Sequence, residues 1–393
     1  MMDDIIFGSA VRTPIGSLSG ILASVPAPRL GSLAIAEAIR RAGIEPGQVD
    51  EVFIGNVVGA GMGMAPARQA AIAAGLPNSV GATTINKVCG SGLKAVMLAA
   101  QAIRTGEAQI IVAGGMESMS QTPYLLGKAR TGYRMGHGQL IDSMVQDGLW
   151  EVFNDCHVGV CGEICAERYR ISRQEQDRYA IQSYTRALTA QWEGKFKAEI
   201  IPVPVTGGKG ATAVVEEDEE PRQFSLDKIP TLNPAFKEGG TITAANAPSV
   251  NDGAAAITVL SGRRAARLGV QPLARIVGYA QAALAPEWVT IAPAEAIKNV
   301  LKKTGLTLQD IDLFEINEAY AVVALVNMQI LRLPEDRVNL KGGAVALGHP
   351  IGATGARILT TLLYLMQERE VRLGLCALCL GGGEAIALIV ERS

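Results

Sequence analysis

Three short segments carry side chains suited to covalent acid–base chemistry. The first is Thr83-Thr-Ile-Asn-Lys-Val-Cys89-Gly-Ser-Gly-Leu-Lys-Ala95. A β-branched approach runs into Cys-Gly-Ser-Gly, and an alanine-rich helical pattern follows through Ala102. This places Cys89 at a strand-to-helix turn, where free N–H groups and the helix dipole lower a thiol's pKa. Gly90 and Gly92 permit the tight turn. A buried packing cysteine is the competing reading, since free Cys is among the most buried residue types. The second segment, Asn339 to Arg357, holds His349 among glycines and Pro350 in a turn that opens another helix. A rigid loop and a pKa near neutrality suit a general base; a structural loop histidine is the alternative. The third, Leu378-Cys379-Leu-Gly-Gly-Gly383-Glu384, is a strand end breaking into glycines. It combines a second thiol with bare backbone that can serve as oxyanion donors; simple close packing is the alternative. Glu315-Ile-Asn317-Glu318-Ala-Tyr320 reads as a further strand-to-helix turn, where Asn317 and Glu318 could merely cap the helix.

The elements that carry these turns repeat along the chain. Ala42 to Val52 reads like Thr304 to Phe314, 262 positions later, each after a helix-like stretch (Leu33 to Arg41, Ala294 to Lys303). Ile110 to Glu117 resembles the segment running to Gly381-Gly382 and Glu384, 267 positions on. Two related halves follow: 1–121, completed by about 251–270, and 271–393. Alternating strands and helices point to α/β architecture with a mixed, mostly parallel sheet under helices. A pseudo-twofold between the halves would bring Cys89, His349 and Cys379 together. Residues 122–250 read as a loop-rich insertion. Ser172-Arg-Gln-Glu175 predicts a capping box opening an amphipathic helix to Trp192. Gly207-Gly-Lys-Gly210 predicts a loop, and the acidic run Glu216 to Glu220 a solvated one.

Composition bounds the rest. Of 393 residues, 48% are hydrophobic and 19% charged, which excludes an extended disordered chain. Net charge is −2 with no basic stripe, which argues against nucleic acid. Gly is high at 44 and aromatics low at 5%, in keeping with many tight strand–helix turns. The opening Met1-Met2-Asp3-Asp4 lacks a secretory signature, and no apolar run reaches the ~18 residues of a membrane span. Six cysteines in this length do not make a disulfide framework, so a cytoplasmic, reducing location is expected. Cys161 and Cys165, four apart, more simply share a helix face than bind zinc; no metal is expected.

Several motifs in order resemble the thiolase family of acetyl-CoA acyltransferases. They are Arg12-Thr-Pro-Ile-Gly16, Asn86-Lys-Val-Cys-Gly-Ser-Gly92, Gly114-Gly-Met-Glu-Ser-Met119, Asn251-Asp-Gly-Ala-Ala255, Asn317-Glu-Ala319, Gly348-His-Pro-Ile-Gly352, and Cys379 with Gly381-Gly-Gly383. The resemblance covers nearly the whole chain. It implies a thiolase fold with αβαβα layering, an inserted loop domain for CoA binding and oligomer contacts, and a homodimer or homotetramer. It implies reversible Claisen condensation of acetyl-CoA, or thiolysis of a 3-ketoacyl-CoA, with CoA and acyl-CoA as substrates and no cofactor. By resemblance, Cys89 is the nucleophile, Cys379 the acid/base, and His349 the activator. His349 with Asn317, through a water, forms one oxyanion hole; the N–H groups of Cys89 and Gly381 form the other. His157, Arg222, Ala235, Phe236, Ala247, Ser249 and Tyr320 fall where the family contacts CoA.

The chain also departs from the family pattern. Pro248 stands where serine is usual, with Ser249 shifted by one. Val158 and Val289 stand near positions of family methionines, which predicts a wider acyl pocket, and Tyr320 replaces phenylalanine. Glu384 replaces a family Met and reads as a structural carboxylate matching Glu117. Two other functions compete. A decarboxylating ketoacyl synthase usually lacks the second cysteine, and a non-catalytic acyl-CoA or lipid-binding protein needs no such set.

Overall fold

The computed structural model describes residues 4–206, 212–223 and 225–393. Met1 to Asp3 and the Gly207–Gly210 loop lie outside the described residues. The first half holds β1 (Ile5–Arg12), α1 (Ala27–Ala42), β2 (Glu51–Gly55), β3 (Gly81–Ile85), α2 (Ser91–Thr105) and β4 (Ile110–Ser118). The insertion holds α3 (Val158–Tyr169) and α4 (Arg173–Trp192). Then come β5 (Asn251–Ser261), β6 (Ala274–Ala283), α5 (Ala292–Thr304), β7 (Leu313–Ile316), α6 (Ala321–Leu331), α7 (Ile351–Glu368), β8 (Leu373–Leu380) and β9 (Glu384–Arg392).

The strands run in the order β7-β8-β9-β6-β1-β5-β4-β2-β3. Alternate residues of the first half's strands face opposite ways, as the two-residue strand period requires. Phe7, Ala10, Ile111 and Ile257 enter one core; Ile6, Val11, Val112 and Ala256 enter another. α1 covers one face of this sheet, while α2 and α7 pack on each other between the halves. α5 lies on β6 and β9 and completes the αβαβα layering. α7 is buried almost all round, which fits its run of Ala, Gly, Thr and Leu.

The sheet is mixed as expected, but antiparallel pairing outweighs parallel. β2–β3, β2–β4 and β7–β8 are parallel. The pairs β1–β5, β1–β6, β4–β5, β6–β9 and β8–β9 are antiparallel. Reading every strand as a βαβ partner overlooked that β8 turns directly into β9 through Gly381–Gly383, and such short turns join antiparallel neighbours.

The repeat is real, but its second offset was four residues too long. Ile54 pairs with Gly114 on β2 and β4; Ile316 pairs with Ala377 on β7 and β8. Asp50 accepts the N–H groups of Gln109 and Ile110, and Asp312 those of Arg372 and Leu373. Equivalent residues of these later strands are therefore 263 positions apart. Gly114-Gly115 corresponds to Ala377-Leu378, not to Gly381-Gly382, and Glu117 corresponds to Leu380, not to Glu384. Glu384 instead pairs with Lys87, beside the Cys89 turn.

α4 begins as predicted: Ser172 accepts from the Glu175 N–H, and Glu175 reaches back to the Ser172 N–H. The acidic run is not simply solvated. Asp218 is buried and grips both terminal nitrogens of buried Arg12 at 2.7 and 2.9 Å. Glu199 takes the Arg12 Nε–H at 2.7 Å. Glu219 accepts from Ser17 and Ile21, and Glu220 from Asn251. A buried guanidinium requires such partners; Glu216 and Glu217 remain exposed.

Candidate active site

Cys89, His349, Cys379 and Gly381 line one cavity of about 690 Å³. That volume is within the range of small-molecule sites, roughly 300–1,000 Å³. Cys89 sits between β3 and α2, His349 just before α7, and Cys379 near the end of β8. The predicted strand-to-helix turn is therefore present. Val88, just before the nucleophile candidate, has φ +48°. That is a strained value for a β-branched residue, and it presents Cys89 to the cavity.

The Gly381 and Cys89 N–H groups lie where they favour the Cys89 thiolate. Burial nevertheless pushes this thiol up to about 11, so the expected lowering by the helix start is overturned. Desolvation of the charged form outweighs the donors. Burial also raises the Cys379 thiol, with the nearby Cys89 adding to it. Both sulfurs rest as neutral thiols at pH 7.

His349 is buried and its ring is oriented. Its backbone N–H donates to Asn251 Oδ1 at 2.8 Å. Nδ1 lies 2.7 Å from Thr354 Oγ1, which itself donates to the Pro350 carbonyl at 2.9 Å. Thr354 has one hydroxyl proton for two acceptors, and with that proton on Pro350 the Nδ1–H donates to Thr354. Nε2 is then the bare acceptor, and it has no partner among the described residues. Burial, followed by the Arg357 charge, pushes the imidazole down to about 3, so the ring is neutral. A neutral base with its lone pair free is what a neutral thiol needs for proton removal. Asn317 follows β7, and neither its Oδ1 nor its Nδ2 has a partner among the described residues. It does not cap α6, and neither does Glu318, whose carboxylate binds Tyr179, Ser183, Asn339 and Val345.

The residues expected at CoA divide in two. His157, Phe236, Ala247, Ser249 and Tyr320 line the cavity. The His157 ring stacks on Phe236 at 4.6 Å, and Tyr320 meets Phe236 edge-on at 5.8 Å. His157 Nδ1 accepts the Gly159 N–H, capping α3. Ser249 Oγ lies 3.0 Å from Asn251 Oδ1, so the shifted serine is engaged beside the His349 loop. Pro248, Val158 and Val289 also line the cavity. Arg222 lies elsewhere: it is 62% exposed, pairs with Glu217 and lines a separate surface pocket. Ala235 bonds back to Ile242 and is not part of the cavity wall.

Sequence reasoning overlooked Trp150, Glu151 and Phe153, which close one side of the cavity. No spacing rule marks them, because they reach it on a short hairpin. The reading of Glu117 as a structural carboxylate fits: it is buried and accepts from Val57, Val58 and Gly352. Cys156, Cys161 and Cys165 belong to an apolar cluster that includes Cys379. Among the described residues no group of three His, Cys, Asp or Glu side chains is placed to hold a metal ion.

The arrangement couples a thiol, a neutral imidazole, a second thiol and two inward N–H groups in an apolar wall. It can form and break an acyl thioester while moving protons between sulfur, nitrogen and carbon. Comparison with known proteins agrees. Residues 5–263 match the thiolase N-terminal domain and residues 270–392 the thiolase C-terminal domain. The chain is 52% identical to acetyl-CoA acetyltransferase 2 of Arabidopsis thaliana, over 99% of this chain and 97% of that protein. It is 50% identical to acetyl-CoA acetyltransferase of Cupriavidus necator over the full length of both. The crystal structure of Bacillus anthracis acetyl-CoA acetyltransferase superposes with TM-score 0.98 at 40% identity, covering 100% of this chain and 99% of that one. The chain belongs to the thiolase family.

Proposed function

We propose that the chain is an acyltransferase that condenses two acetyl-CoA molecules to acetoacetyl-CoA and CoA, or runs the reverse thiolysis. The observation that carries this reading is the meeting of Cys89, His349, Cys379 and the Gly381 N–H in one cavity. In the first step His349 Nε2 takes the Cys89 proton as sulfur attacks the thioester carbonyl. The tetrahedral oxyanion is held by the Cys89 and Gly381 N–H groups, and CoA leaves with the Cys379 proton, which leaves Cys379 a thiolate and the Cys89 proton on His349 Nε2. In the second step Cys379, as thiolate, removes the α-proton of a second acetyl-CoA. His349 Nε2–H, with Asn317 through a water, stabilises the enolate oxygen. The enolate carbon attacks the acyl group, the carbon–carbon bond forms, and Cys89 departs and takes its proton back from His349. CoA and acyl-CoA are substrates, and no cofactor enters these steps.

The decisive experiment is mass spectrometry of Cys89 after mixing with acetyl-CoA. Cys379→Ser should still acquire 42 Da (roughly, one acetyl group) on Cys89 while losing condensation. Absence of label on a folded, CoA-binding parent would favour the binding-protein alternative.

Finer features belong to the same reading. Val158 and Val289 in the wall support substrates beyond the four-carbon ketoacyl thioester. Each Val in place of Met forgoes ~1–2 kcal/mol of apolar contact. His157, Phe236, Ala247, Ser249 and Tyr320 are assigned to the CoA arm. Exposed Tyr124, Leu126, Met135 and Leu140 in the insertion support a homodimer or homotetramer. No helix among the described residues is long and apolar enough to cross a membrane. The six free thiols support a reducing, cytoplasmic setting.

A further inference from the structure

The Gly381-Gly-Gly383 turn presents a difficulty that the catalytic reading leaves open. Gly382 and Gly383 have φ +86° and +82°, and none of the three carries a side chain that could fasten the turn. Yet the Gly381 N–H has to stay on the Cys89 acyl group through two chemical steps. Bare glycines alone do not supply that rigidity.

An anchor comes from the insertion. Trp150–Glu151 pairs with Cys156–His157 as a short hairpin, tied by Val158 N–H to the Leu149 carbonyl. Trp150 Nε1–H donates to Asp155 at 3.0 Å, which stiffens it. Glu151 points from this hairpin into the cavity wall and is only 3% exposed. One carboxylate oxygen accepts the Gly382 N–H at 3.2 Å; the other accepts the Phe153 N–H at 2.9 Å. The peptide it holds is the one joining Gly381 to Gly382. A carboxylate is an acceptor on both oxygens, so it suits two inward N–H groups better than any neutral side chain of its size.

We propose that Glu151 is a positioning residue of the acyl-transfer step: it clamps the Gly381–Gly382 peptide so that the Gly381 N–H stays aimed at the acyl oxygen on Cys89. This rests on the thiolase reading above. It also gives the insertion hairpin a part in the chemistry, since the same residue ties the cavity wall to the oxyanion donor.

The test compares acetylation of Cys89 with its alkylation in the full-length protein. Iodoacetamide needs the thiolate, which the Gly381 N–H favours, but builds no oxyanion for that N–H to hold. Glu151→Gln keeps the size and turns an NH2 toward one N–H; Glu151→Asp keeps the charge with shorter reach. We expect Glu151→Gln to slow Cys89 acetylation by acetyl-CoA ~10–100-fold, a fraction of the full loss of such a donor. KM for acetyl-CoA should change less than ~3-fold, alkylation should slow no more than ~3-fold, and Glu151→Asp should fall between. If Glu151→Gln does not fold, the Asp variant carries the test: slowed acetylation with alkylation within ~3-fold of the parent supports the clamp. Acetylation at the parent rate in the folded variants, or acetylation and alkylation falling together, would overturn it. A parent protein that never acetylates would instead sink the thiolase reading, so the two failures are separable.

Discussion

The turn before α2 and the turn before α7 are equivalent parts of a duplicated half, yet they are used oppositely. Gly92 and Gly355, 263 positions apart, bring α2 and α7 backbone to backbone: a Cβ on Gly92 would lie 2.8 Å from the Ala356 nitrogen, and one on Gly355 would meet the Leu93 nitrogen. The same spacing matches Cys89 with Gly352. At Gly352 the backbone N–H is consumed inside the protein, by Glu117 at 2.8 Å. Around Cys89 the residue equivalent to Glu117 is apolar Leu380, which packs against Gly90. The Cys89 and Gly381 N–H groups there favour a thiolate instead. One copy of the scaffold seals its helix start; the other leaves it open to chemistry.

Three measurements test that contrast. The largest effect concerns the thiol. If burial outweighs the unsealed donors, alkylation of Cys89 by iodoacetamide should climb about tenfold per pH unit from pH 8 to 10, because only thiolate reacts. The climb should run past pH 9 toward the raised value near 11. A plateau near pH 8.5 would show that the donors win. Next, Gly352→Ala places a Cβ 2.6 Å from a Glu117 oxygen and 2.8 Å from the Met116 carbonyl. Urea unfolding should register a loss of ~1–3 kcal/mol, as overpacking of a rigid site gives. Unchanged stability would mean that the sealed start is looser than its equivalent. The smallest effect is at Val88, whose φ of +48° stores strain. Val88→Gly relieves about 1–3 kcal/mol of strain but adds ~0.5–1 kcal/mol of chain entropy, so thermal unfolding should shift upward slightly. A clear downward shift would show that the Val88 side chain, not the turn, holds Cys89 in place.

Much of the site was legible from local residue patterns. The Ser172–Glu175 capping box foretold α4 because both partners lie within one turn. Cys89 and His349 were placed at helix starts by glycines and proline beside them, and the structure puts them there. Their convergence with Cys379 was legible from the pseudo-twofold between the halves, although the halves repeat too faintly to fix register. That is why Gly114-Gly115 was matched to the wrong glycines. Contacts made across the chain left no signal at all. Nothing near Arg12 announces Asp218, and nothing near Gly382 announces Glu151. The His349 tautomer likewise depends on a hydroxyl one turn along α7, visible only once the helix is built.

The Arg12 cluster bears on how such a chain can be shortened or rebuilt. Its guanidinium belongs to the first strand, while Glu199 and Asp218 arrive from residues between β4 and β5. Excising that stretch to leave two minimal halves would abandon a cation in the dry interior, a penalty of roughly 3–5 kcal/mol. The intervening region is therefore not a detachable module, and a trimmed enzyme would need Arg12 replaced by a neutral residue in the same step.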